Sequence, residues 1–585
     1  MSTLAEKQAP PVPVAETRDQ TESTLASALV RHLAALGIEE AFGVSGGAIA
    51  LLFDALAEHE TIQVRHCRHE TGAAFAAAEA HFATGKPTLV FTTTGPGILN
   101  VLTGLMAARW DGAKLILVSG ATSAPQRGRW AAQETSSYTM PQDALYAQGR
   151  IFDFAVRMES ATEFPEVARR LSLGMLRLGG FIAHVCLPMG VQSNRVDLPS
   201  RCTPTTLTVP SIPADQLTAC LERLNQGPFA VWVGFGATAA APLVRTLVER
   251  TGARIFCSPR GKGIIPEDHP NFLGVTGLGG HEAVTDFMVQ EKPRWVLVLG
   301  TRLGESTSFW DEDLTPSEGF IHVDLDPAVP GAAYPHTATL GIQADVGAFL
   351  TALLARLPHR GSRFKSTQTR LWEEPVLMRV KGREPVRPQV LMQAIQRHVV
   401  QHSDAPVLAE SGNSFAWCTH FLRFSTAGRY RVSTLFGSMG HASSGVVGCA
   451  LARRGKAVAV VGDGSMLMNS EINTAVQYQI PAVWIVLNDA GYGVCRDGNR
   501  ALGLSAEGLD FPQVDFTAFA RAMGADGVRV RTEDEVAPAI RQAMSAAGPF
   551  VVDVHIDCEE LSPLLKRFES LIRQGSSKDI AGGQP

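Results

Sequence analysis

The sequence predicts an α/β protein made of three doubly wound parallel-sheet domains. Short, nearly continuous apolar runs recur along the chain, among them "PTLVFTTT", "RWVLVLG" and "PAVWIVL". Apolar runs without alternation are typical of strands that are buried on both faces of a parallel sheet. Helical patterns separate these runs, and 585 residues are too many for a single core. Two stretches without periodicity divide the runs into three groups.

The first group predicts a domain over residues 22–195. Its strands are expected at "PTLVFTTT", "KLILVSG" and "FIAHVCLP". The domain ends where "NRVDLPSRCTPTTLTVPSIPAD", which is rich in Pro and Thr, begins. Residues 1–21 lack the apolar core of a signal peptide, so we predict a disordered leader there.

The second and third groups predict a central domain over residues 210–357 and a last domain over residues 388–560. The central strands are expected at "FAVWVGF", "ARIFCSP", "RWVLVLG" and "FIHVDLDP". A charged segment up to about Pro388 is the second linker. The last domain has "APVLAES", "KAVAVV", "PAVWIVLND" and "FVVDVHID", and residues 573–585 are predicted to be a flexible tail.

Composition argues against several classes of function. The net charge of −5 predicts no nucleic-acid partner and no membrane-surface patch. No stretch reaches the roughly 18 apolar residues of a membrane span. Nine scattered cysteines without a CxxC pair indicate neither a disulfide framework nor a zinc knuckle, and they favour a cytoplasmic location. No GxGxxG opens a βαβ unit, which disfavours a dinucleotide-dependent dehydrogenase.

A Gly-Asp-Gly turn followed by an Asn-Asp-Ala-Gly turn is the strongest chemical signal. Asp463 follows one apolar run and Asn488 ends the next, and ligands of parallel sheets bind at the carboxyl ends of strands. Glycine N–H groups can approach a phosphate, while Asp463, Asn488 and the Ala490 carbonyl offer oxygens that suit Mg²⁺. The set fits a diphosphate bridged to Mg²⁺, although Gly-Asp-Gly alone is also compatible with a tight turn capped by Asp.

These two turns resemble the diphosphate-binding domain of thiamine-diphosphate enzymes, in which Gly-Asp-Gly is followed further along the chain by Asn-Asn. Asp489 takes the place of the second Asn here, and we expect its carboxylate to point away from the metal. The resemblance implies that Asp463, with Gly464 and Ser465, contacts the cofactor. It also implies that Asn488, with the Ala490 carbonyl, completes the metal site.

Two further segments resemble cofactor-binding parts of the same family. In "STLFGSMGHASSG", Met439 matches the apolar wedge beneath the cofactor, and the Gly437 carbonyl matches the acceptor for the 4′-amino group. In "AESGNSFAW", Asn413 and Ser414 match positions that hold the diphosphate. Small polar residues at those positions are also ordinary turn formers.

The segment "RHCRHETGAAFAAAEAHF" resembles the pyrimidine-binding domain of the branch that contains acetolactate synthase, pyruvate oxidase and benzoylformate decarboxylase. Glu70 matches the glutamate that hydrogen-bonds to N1′ of the aminopyrimidine. A carboxyl proton shared with N1′ favours the imino form that removes the C2 proton. Without the family resemblance, Glu70 is simply an acidic residue at the start of a helix, where the helix dipole favours a negative charge. His66 and His69 are expected along a strand, as solvated or packed residues.

The resemblance covers roughly residues 22–560 and implies pyrimidine-binding, central and diphosphate-binding domains. It also implies a homodimer or homotetramer, in which the cofactor lies between the first domain of one subunit and the last domain of its partner. The Ala-rich helix after Glu70 suits close packing at such an interface. The central domain resembles one that binds FAD in some members, so FAD stays open, and Arg302 suits either a flavin phosphate or a structural role.

The reaction is indicated by two substituted segments. In "RWAAQETSSY", Gln133 and Glu134 match the family, with Gln133 as a catalytic residue, whereas Ala132 replaces a Phe and opens space for a larger acceptor. The segment "GYGVCRDGN" lacks the Trp of acetolactate synthases.

We predict Mg²⁺- and thiamine-diphosphate-dependent decarboxylation of a small 2-oxo acid, pyruvate first, with carboligation to a second carbonyl compound. The alternatives are a simple decarboxylase, a flavin-dependent oxidase and a silent binding subunit.

Overall fold

A computed structural model describes residues 22–197, 212–357, 380, 382–468 and 471–575. It confirms the predicted fold class, because three six-stranded sheets follow one another along the chain and every neighbouring pair within them is parallel. The predicted leader, residues 1–21, lies outside the described residues. No helix of the described ranges is both long enough and apolar enough to cross a bilayer.

The first part of the chain forms one parallel sheet and a short antiparallel pair. Its strands are β1 (Glu22–Thr24), β2 (Glu40–Val44), β3 (Gln63–His66), β4 (Thr88–Thr92), β5 (Lys114–Ala121), β6 (Phe154–Arg157), β7 (Phe181–Pro188) and β8 (Arg195–Asp197). Its helices are α1 (Leu25–Ala35), α2 (Ala50–Ala57), α3 (Glu70–Thr84), α4 (Pro96–Asp111), α5 (Gln142–Leu145) and α6 (Phe164–Leu176). The sheet order is β3-β2-β4-β5-β7-β6, and β1 pairs with β8, which the sequence did not predict.

The central part forms a sheet with the order β11-β10-β9-β12-β13-β14. Its strands are β9 (Phe229–Val233), β10 (Arg254–Cys257), β11 (Phe272–Val275), β12 (Trp295–Leu299), β13 (Gly319–Asp324) and β14 (Thr339–Gln343). Its helices are α7 (Ala214–Leu224), α8 (Ala241–Thr251), α9 (Glu282–Glu291), α10 (Glu305–Ser308) and α11 (Val346–Arg356).

The last part forms a sheet with the order β16-β15-β17-β18-β20-β19. Its strands are β15 (Val407–Ala409), β16 (Tyr430–Val432), β17 (Ala457–Gly462), β18 (Ala482–Asn488), β19 (Asp526–Val530) and β20 (Phe550–His555). Its helices are α12 (Pro388–Ile395), α13 (Asn413–Phe421), α14 (His441–Arg453), α15 (Asp463–Met466), α16 (Ile472–Gln477), α17 (Gly493–Ala501), α18 (Phe516–Ala522), α19 (Glu533–Ser545) and α20 (Leu565–Gly575). Helix α20 includes the first residues of the predicted tail.

The strands of the last sheet are buried on both faces, as their apolar runs predict. In β17, Val458 and Val460 belong to one apolar cluster, whereas Ala457, Ala459 and Val461 belong to another. Alternate side chains of a strand point to opposite faces. Two separate cores therefore cover the two faces of this sheet, which is the arrangement of a doubly wound fold.

The strand orders locate the edge at which a ligand is expected. In the last sheet the chain first moves outward from β15 to β16 and then returns to place β17 on the other side of β15. The first sheet repeats this order, with its reversal between β2 and β4. Ligands of such sheets bind at the reversal, beyond the carboxyl ends of the strands. The residues predicted to bind the diphosphate and the metal follow β15 and β17 or lie at the end of β18.

The Ala-rich helix α3 packs closely against α14 of its own chain. A Cβ atom added to Gly448 of α14 would lie 1.8 Å from the Ala76 carbonyl oxygen, so the two backbones approach as closely as glycine allows. Between the helices, Arg431 donates to both carboxylate oxygens of Glu79 at 2.9 and 3.1 Å, and His441 lies 2.9 Å from the same carboxylate. This buried triad joins the first and last domains.

Candidate active site

A cavity of about 310 Å³ lies at the reversal point of the last sheet. It brings together most of the residues predicted to bind the cofactor. Those that line it are Asn413, Ser414, Gly437, Met439, Asp463, Gly464 and Ser465. Asn488 and Ala490 flank it, because the Asp463 carboxylate accepts hydrogen bonds from the N–H groups of Asp489 at 3.2 Å and Gly491 at 3.3 Å.

Asp463 is almost fully buried and begins the short helix α15. Its other carboxylate oxygen accepts from the Gly464 N–H at 2.8 Å. Burial, and after it the neighbouring Asp489 carboxylate, raises the pKa of Asp463 to about 7. A divalent cation beside this carboxylate stabilises its charged form, so the environment of Asp463 suits a metal ligand.

Asn488 has a fixed orientation and an unused acceptor. Its Nδ2 donates to the Val514 carbonyl at 3.0 Å and to Asp553 Oδ1 at 2.8 Å. Its Oδ1 is buried and accepts no hydrogen bond from the residues that the structure describes. Such buried acceptors call for a partner, and an amide oxygen is a good ligand for a hard cation.

Ala490 has a left-handed backbone with φ of 53°, which is uncommon for a residue with a side chain. Its carbonyl accepts from the Phe511 N–H at 2.9 Å, and a carbonyl oxygen has a second lone pair. In the described ranges no group of three or more His, Cys, Asp and Glu residues forms a metal cluster. The candidate ligands are instead a carboxylate oxygen of Asp463, the side-chain amide oxygen of Asn488 and the backbone carbonyl oxygen of Ala490. This set fits Mg²⁺ with phosphate as a further ligand.

Asp489, which stands where the family has Asn, forms an ion pair with Arg496. Arg496 also donates to Asp510 at 2.8 Å. The extra carboxylate therefore has its own cation, although its charge still raises the pKa of Asp463.

The glycine of the Gly-Asp-Gly turn is packed closely. A Cβ atom at Gly464 would lie 2.9 Å from the Tyr492 ring and 3.6 Å from Met439 Cε. Gly437 has φ of 59°, a conformation that favours glycine. Close packing therefore restricts the residue at 464, and backbone conformation restricts the residue at 437.

The side chains of Asn413 and Ser414 are engaged within the protein. Asn413 donates to Asp497 at 3.1 Å and accepts from Ser562 at 3.0 Å, while Ser414 donates to the Glu410 carbonyl at 2.9 Å. What both residues offer a phosphate is their backbone N–H groups at the start of α13, which has no side-chain cap. Helix N-termini bind phosphates in this way.

Glu70 begins α3 and is 8% exposed. One of its oxygens accepts from Asn100 Nδ2 at 3.1 Å. The other faces the start of α4, where a Cβ atom at Gly97 would lie 3.3 Å from it. Gly97 follows β4, so Glu70 lies at the same edge of the first sheet as the reversal between β2 and β4. His69 caps α3 with its ring nitrogen, and His66 packs between the rings of Phe53 and Phe91.

Gln133 lies against the loop that precedes α4. Its carbonyl accepts from Thr94 Oγ1 at 3.3 Å, and a Cβ atom at Gly95 would lie 2.8 Å from that oxygen. Gln133 has φ of 54° and is exposed. Glu134 is buried and shapes this loop, because it accepts from the N–H groups of Gly128 at 2.7 Å and Ala131 at 3.0 Å.

Sequence reasoning missed Glu471, which connects the two half-sites within one chain. Its buried carboxylate accepts from the N–H groups of Arg68 and His69, the two residues before Glu70, at 3.1 Å each. A Cβ atom at Gly72 would lie 2.6 Å from a Glu471 oxygen. Glu471 follows the Gly-Asp-Gly turn along the chain, so a residue of the last domain holds the turn that precedes Glu70. No local pattern signals a partner about four hundred residues away.

In the central domain, Arg302 donates to the Trp110 carbonyl at 3.0 Å and its guanidinium lies 6.0 Å from the centre of the Trp110 ring. Arg302 therefore joins the central domain to α4 of the first domain, as the structural alternative proposes.

Three sequence profiles of the thiamine pyrophosphate enzymes match the chain in succession. They are the N-terminal TPP binding domain over residues 23–140, the central domain over residues 220–353 and the C-terminal TPP binding domain over residues 410–554. Curated proteins align along almost the whole chain.

The chain is 28% identical over 552 residues to the acetolactate synthase isozyme 2 large subunit of Escherichia coli, with 92% of this chain and 96% of the relative covered. It is 27% identical over 554 residues to "Putative thiamine pyrophosphate-containing protein YdaP" of Bacillus subtilis, with 92% and 93% covered. It is 26% identical over 569 residues to the acetolactate synthase large subunit of Pyropia yezoensis, with 92% and 93% covered.

Proposed function

The chain belongs to the thiamine pyrophosphate enzyme family, in its acetolactate synthase-like branch, and from this premise we propose that it decarboxylates a small 2-oxo acid, pyruvate first, and ligates the acyl unit to a second carbonyl compound. Thiamine diphosphate would supply a carbon nucleophile and an electron sink for the loss of CO₂. The observation that carries the proposal is the unused Asn488 oxygen beside the buried Asp463 carboxylate.

The residues of the last domain would hold the tail of the cofactor. Asp463, Asn488 and the Ala490 carbonyl would ligate Mg²⁺, and the N–H groups at the start of α13 would bind the diphosphate. Gly437 and Met439 would contact the rings. In the first domain, Glu70 would hold a proton at N1′, and Gln133 would contact the substrate.

Two copies of the chain would complete each site. Within one chain, none of the described residues 22–197 lines the cavity. Apolar side chains around its mouth are between 36% and 60% exposed, and they are Leu435, Phe436, Leu467, Met468 and Tyr492. Such an apolar rim is typical of an interface. We therefore propose a homodimer or tetramer in which the partner's first domain covers the cavity.

The scarcity of histidine around the cavity supports carboligation over simple decarboxylation, because a histidine is the usual proton donor near neutral pH. Among the lining residues that the structure describes there is no histidine. In the first domain, His66 is packed between two Phe rings and His69 caps α3.

The eight cysteines of the described ranges are unpaired, which supports the cytoplasmic location included in this proposal.

The experiment that tests the proposal is a panel of 2-oxo acids crossed with aldehydes and ketones, read by product mass. Products that contain both carbon skeletons support carboligation, whereas aldehydes alone support a simple decarboxylase. Absence of CO₂ release in the presence of Mg²⁺ and thiamine diphosphate would support a silent binding subunit. A flavin absorbance band in the purified protein would settle whether FAD is present.

Replacing Asp463 by Ala should weaken binding of thiamine diphosphate in Mg²⁺ by at least about 100-fold, because the site loses its only charged metal ligand from the described residues. Calorimetric titration with and without a chelator measures this. Asp489→Asn is the matched control: it restores the Asn of the family and should retain Mg²⁺-dependent binding. Equal losses in both variants would contradict the assignment of Asp463.

Replacing Ala132 by Phe should narrow the range of acceptors to small ones such as pyruvate, because the ring fills the space that Ala132 leaves. The acceptor panel measures the change as a ratio of large to small products, which we expect to fall about tenfold or more. Ala147→Phe, at an exposed alanine of the same domain, is the control. An unchanged ratio in the Ala132 variant would show that this position does not border the acceptor.

A further inference from the structure

The cavity contains one cation that the family motifs do not include. Arg567, on helix α20, is one of the residues that line it, and it is the single Lys or Arg residue among the described lining residues. Helix α20 lies beyond residue 554, where the matched C-terminal profile ends. Arg567 is partly buried, and its guanidinium forms no hydrogen bond or ion pair with the residues that the structure describes.

The C-terminal segment is docked firmly enough to position this side chain. Leu564 is buried in the core of the last domain, and Phe568 packs against that core. Lys566 forms an ion pair with Asp311 of the central domain at 3.1 Å. Ser562 donates to Asn413 at 3.0 Å. The segment therefore packs against the first residue of α13, whose N-terminus is the proposed phosphate site.

The guanidinium of Arg567 is available to an anionic ligand in this cavity. Of the two acidic lining residues, Asp489 is paired with Arg496, and Asp463 is the proposed metal ligand, so neither is the assigned partner of Arg567. The remaining donors near α13 are neutral N–H groups. An arginine binds phosphate oxygens with two parallel N–H bonds, and such charge-assisted bonds are stronger than neutral ones.

We infer that Arg567 binds the terminal phosphate of thiamine diphosphate, so that the C-terminal helix clamps the cofactor. This inference rests on the proposed function. It adds to the cofactor site a residue from a segment that the diphosphate-binding motifs do not include. The affinity for the cofactor then depends on how α20 is docked.

The test is a calorimetric titration of thiamine diphosphate with Mg²⁺ into the full-length wild type, Arg567→Gln and Arg567→Lys. We expect the Kd to rise about tenfold or more in Arg567→Gln, with Arg567→Lys between it and the wild type, because Lys keeps the charge and loses the bidentate geometry. Thiamine, which has no phosphates, should bind the wild type and Arg567→Gln equally. Arg573→Gln removes a cation from an exposed position of the same helix and should leave the Kd unchanged.

Three outcomes overturn the inference. Equal Kd values for Arg567→Gln and Arg573→Gln would exclude a contact with the diphosphate. An unchanged Kd with a raised KM for the 2-oxo acid would assign Arg567 to the substrate carboxylate instead. A wild type that binds no thiamine diphosphate would overturn the proposed function together with the inference, which distinguishes the two failures.

Discussion

Replacing Glu70 by Gln should lower the rate of proton exchange at C2 of bound thiamine diphosphate, and with it kcat, by about 10² to 10⁴. The amide cannot share an acidic proton with N1′, which is what the 4′-imino form requires. The fold should be preserved, because the side-chain oxygen of the introduced amide can still accept the hydrogen bond that Asn100 donates to Glu70. Nuclear magnetic resonance of quenched exchange reactions measures the C2 rate directly.

The control for this experiment is Glu60→Gln, which removes a carboxylate from an exposed position of the first domain. Binding of thiamine diphosphate should be nearly unchanged in both variants, since in the proposed site the last domain would hold the diphosphate. Exchange in Glu70→Gln as fast as in the wild type would remove the basis for Glu70 as the proton-holding residue.

The second large effect is on stability. Replacing Glu79 by Gln should lower the free energy of unfolding of the cooperative unit that contains α3 and α14 by about 3–5 kcal/mol, because Arg431 remains buried without its counter-charge. The side chains of Glu79 and Arg431 are only 3% and 5% exposed. Differential scanning calorimetry, with hydrogen exchange in α3 and α14, measures the loss.

Glu166→Gln is the matched control, because Glu166 also accepts two bonds from an arginine, Arg169, but does so at the surface. Solvent screens that pair, so the control should melt like the wild type. Equal melting of the two variants would show that the buried triad does not hold the domains together.

The effect of Glu79→Gln should depend on pH. Burial opposes the charged forms of both groups. Even so, Arg431 and His441 hold the pKa of Glu79 well below its usual range, and Glu79 holds the pKa of His441 above that of a free imidazole. The stability that charged Glu79 contributes is fully present above the carboxyl pKa of the unfolded chain, and it is lost as the pH falls through the lower pKa of Glu79 in the folded protein. The stability that charged His441 contributes is fully present below the imidazole pKa of the unfolded chain, and it is lost as the pH rises through the higher pKa of His441 in the folded protein. Both are present between about pH 4.3 and 6.5, so the difference in melting temperature should be largest there.

The ligand edge of the last domain could be predicted from sequence because its signals are local. The runs before Asp463 and up to Asn488 form β17 and β18, which are neighbours in the sheet. Parallel neighbours end at the same edge, so two turns that are apart in the chain meet there. The strands that we did not predict, such as β3, β6 and β16, are at or near sheet edges, where three or four partly polar residues carry little periodicity.

The detailed roles of side chains depended on packing. Asn413 and Ser414 are at the predicted place, but their side chains bind Asp497, Ser562 and Glu410, so only their N–H groups remain for a phosphate. The alanines of α3 predict a close helix contact without identifying the partner. The structure shows that this partner is α14 of the same chain.

The sequence by itself determined the three-domain α/β fold and the family, because apolar periodicity and glycine turns are written in consecutive residues. Only the tertiary structure decided which distant groups meet: Glu471 at the turn before Glu70, the triad of Glu79, Arg431 and His441, and Arg567 at the cavity. Each of these contacts joins segments that belong to different domains or lie far apart in the chain. Their partners are set by how whole domains and the C-terminal helix dock, and that docking leaves no periodic pattern in either segment.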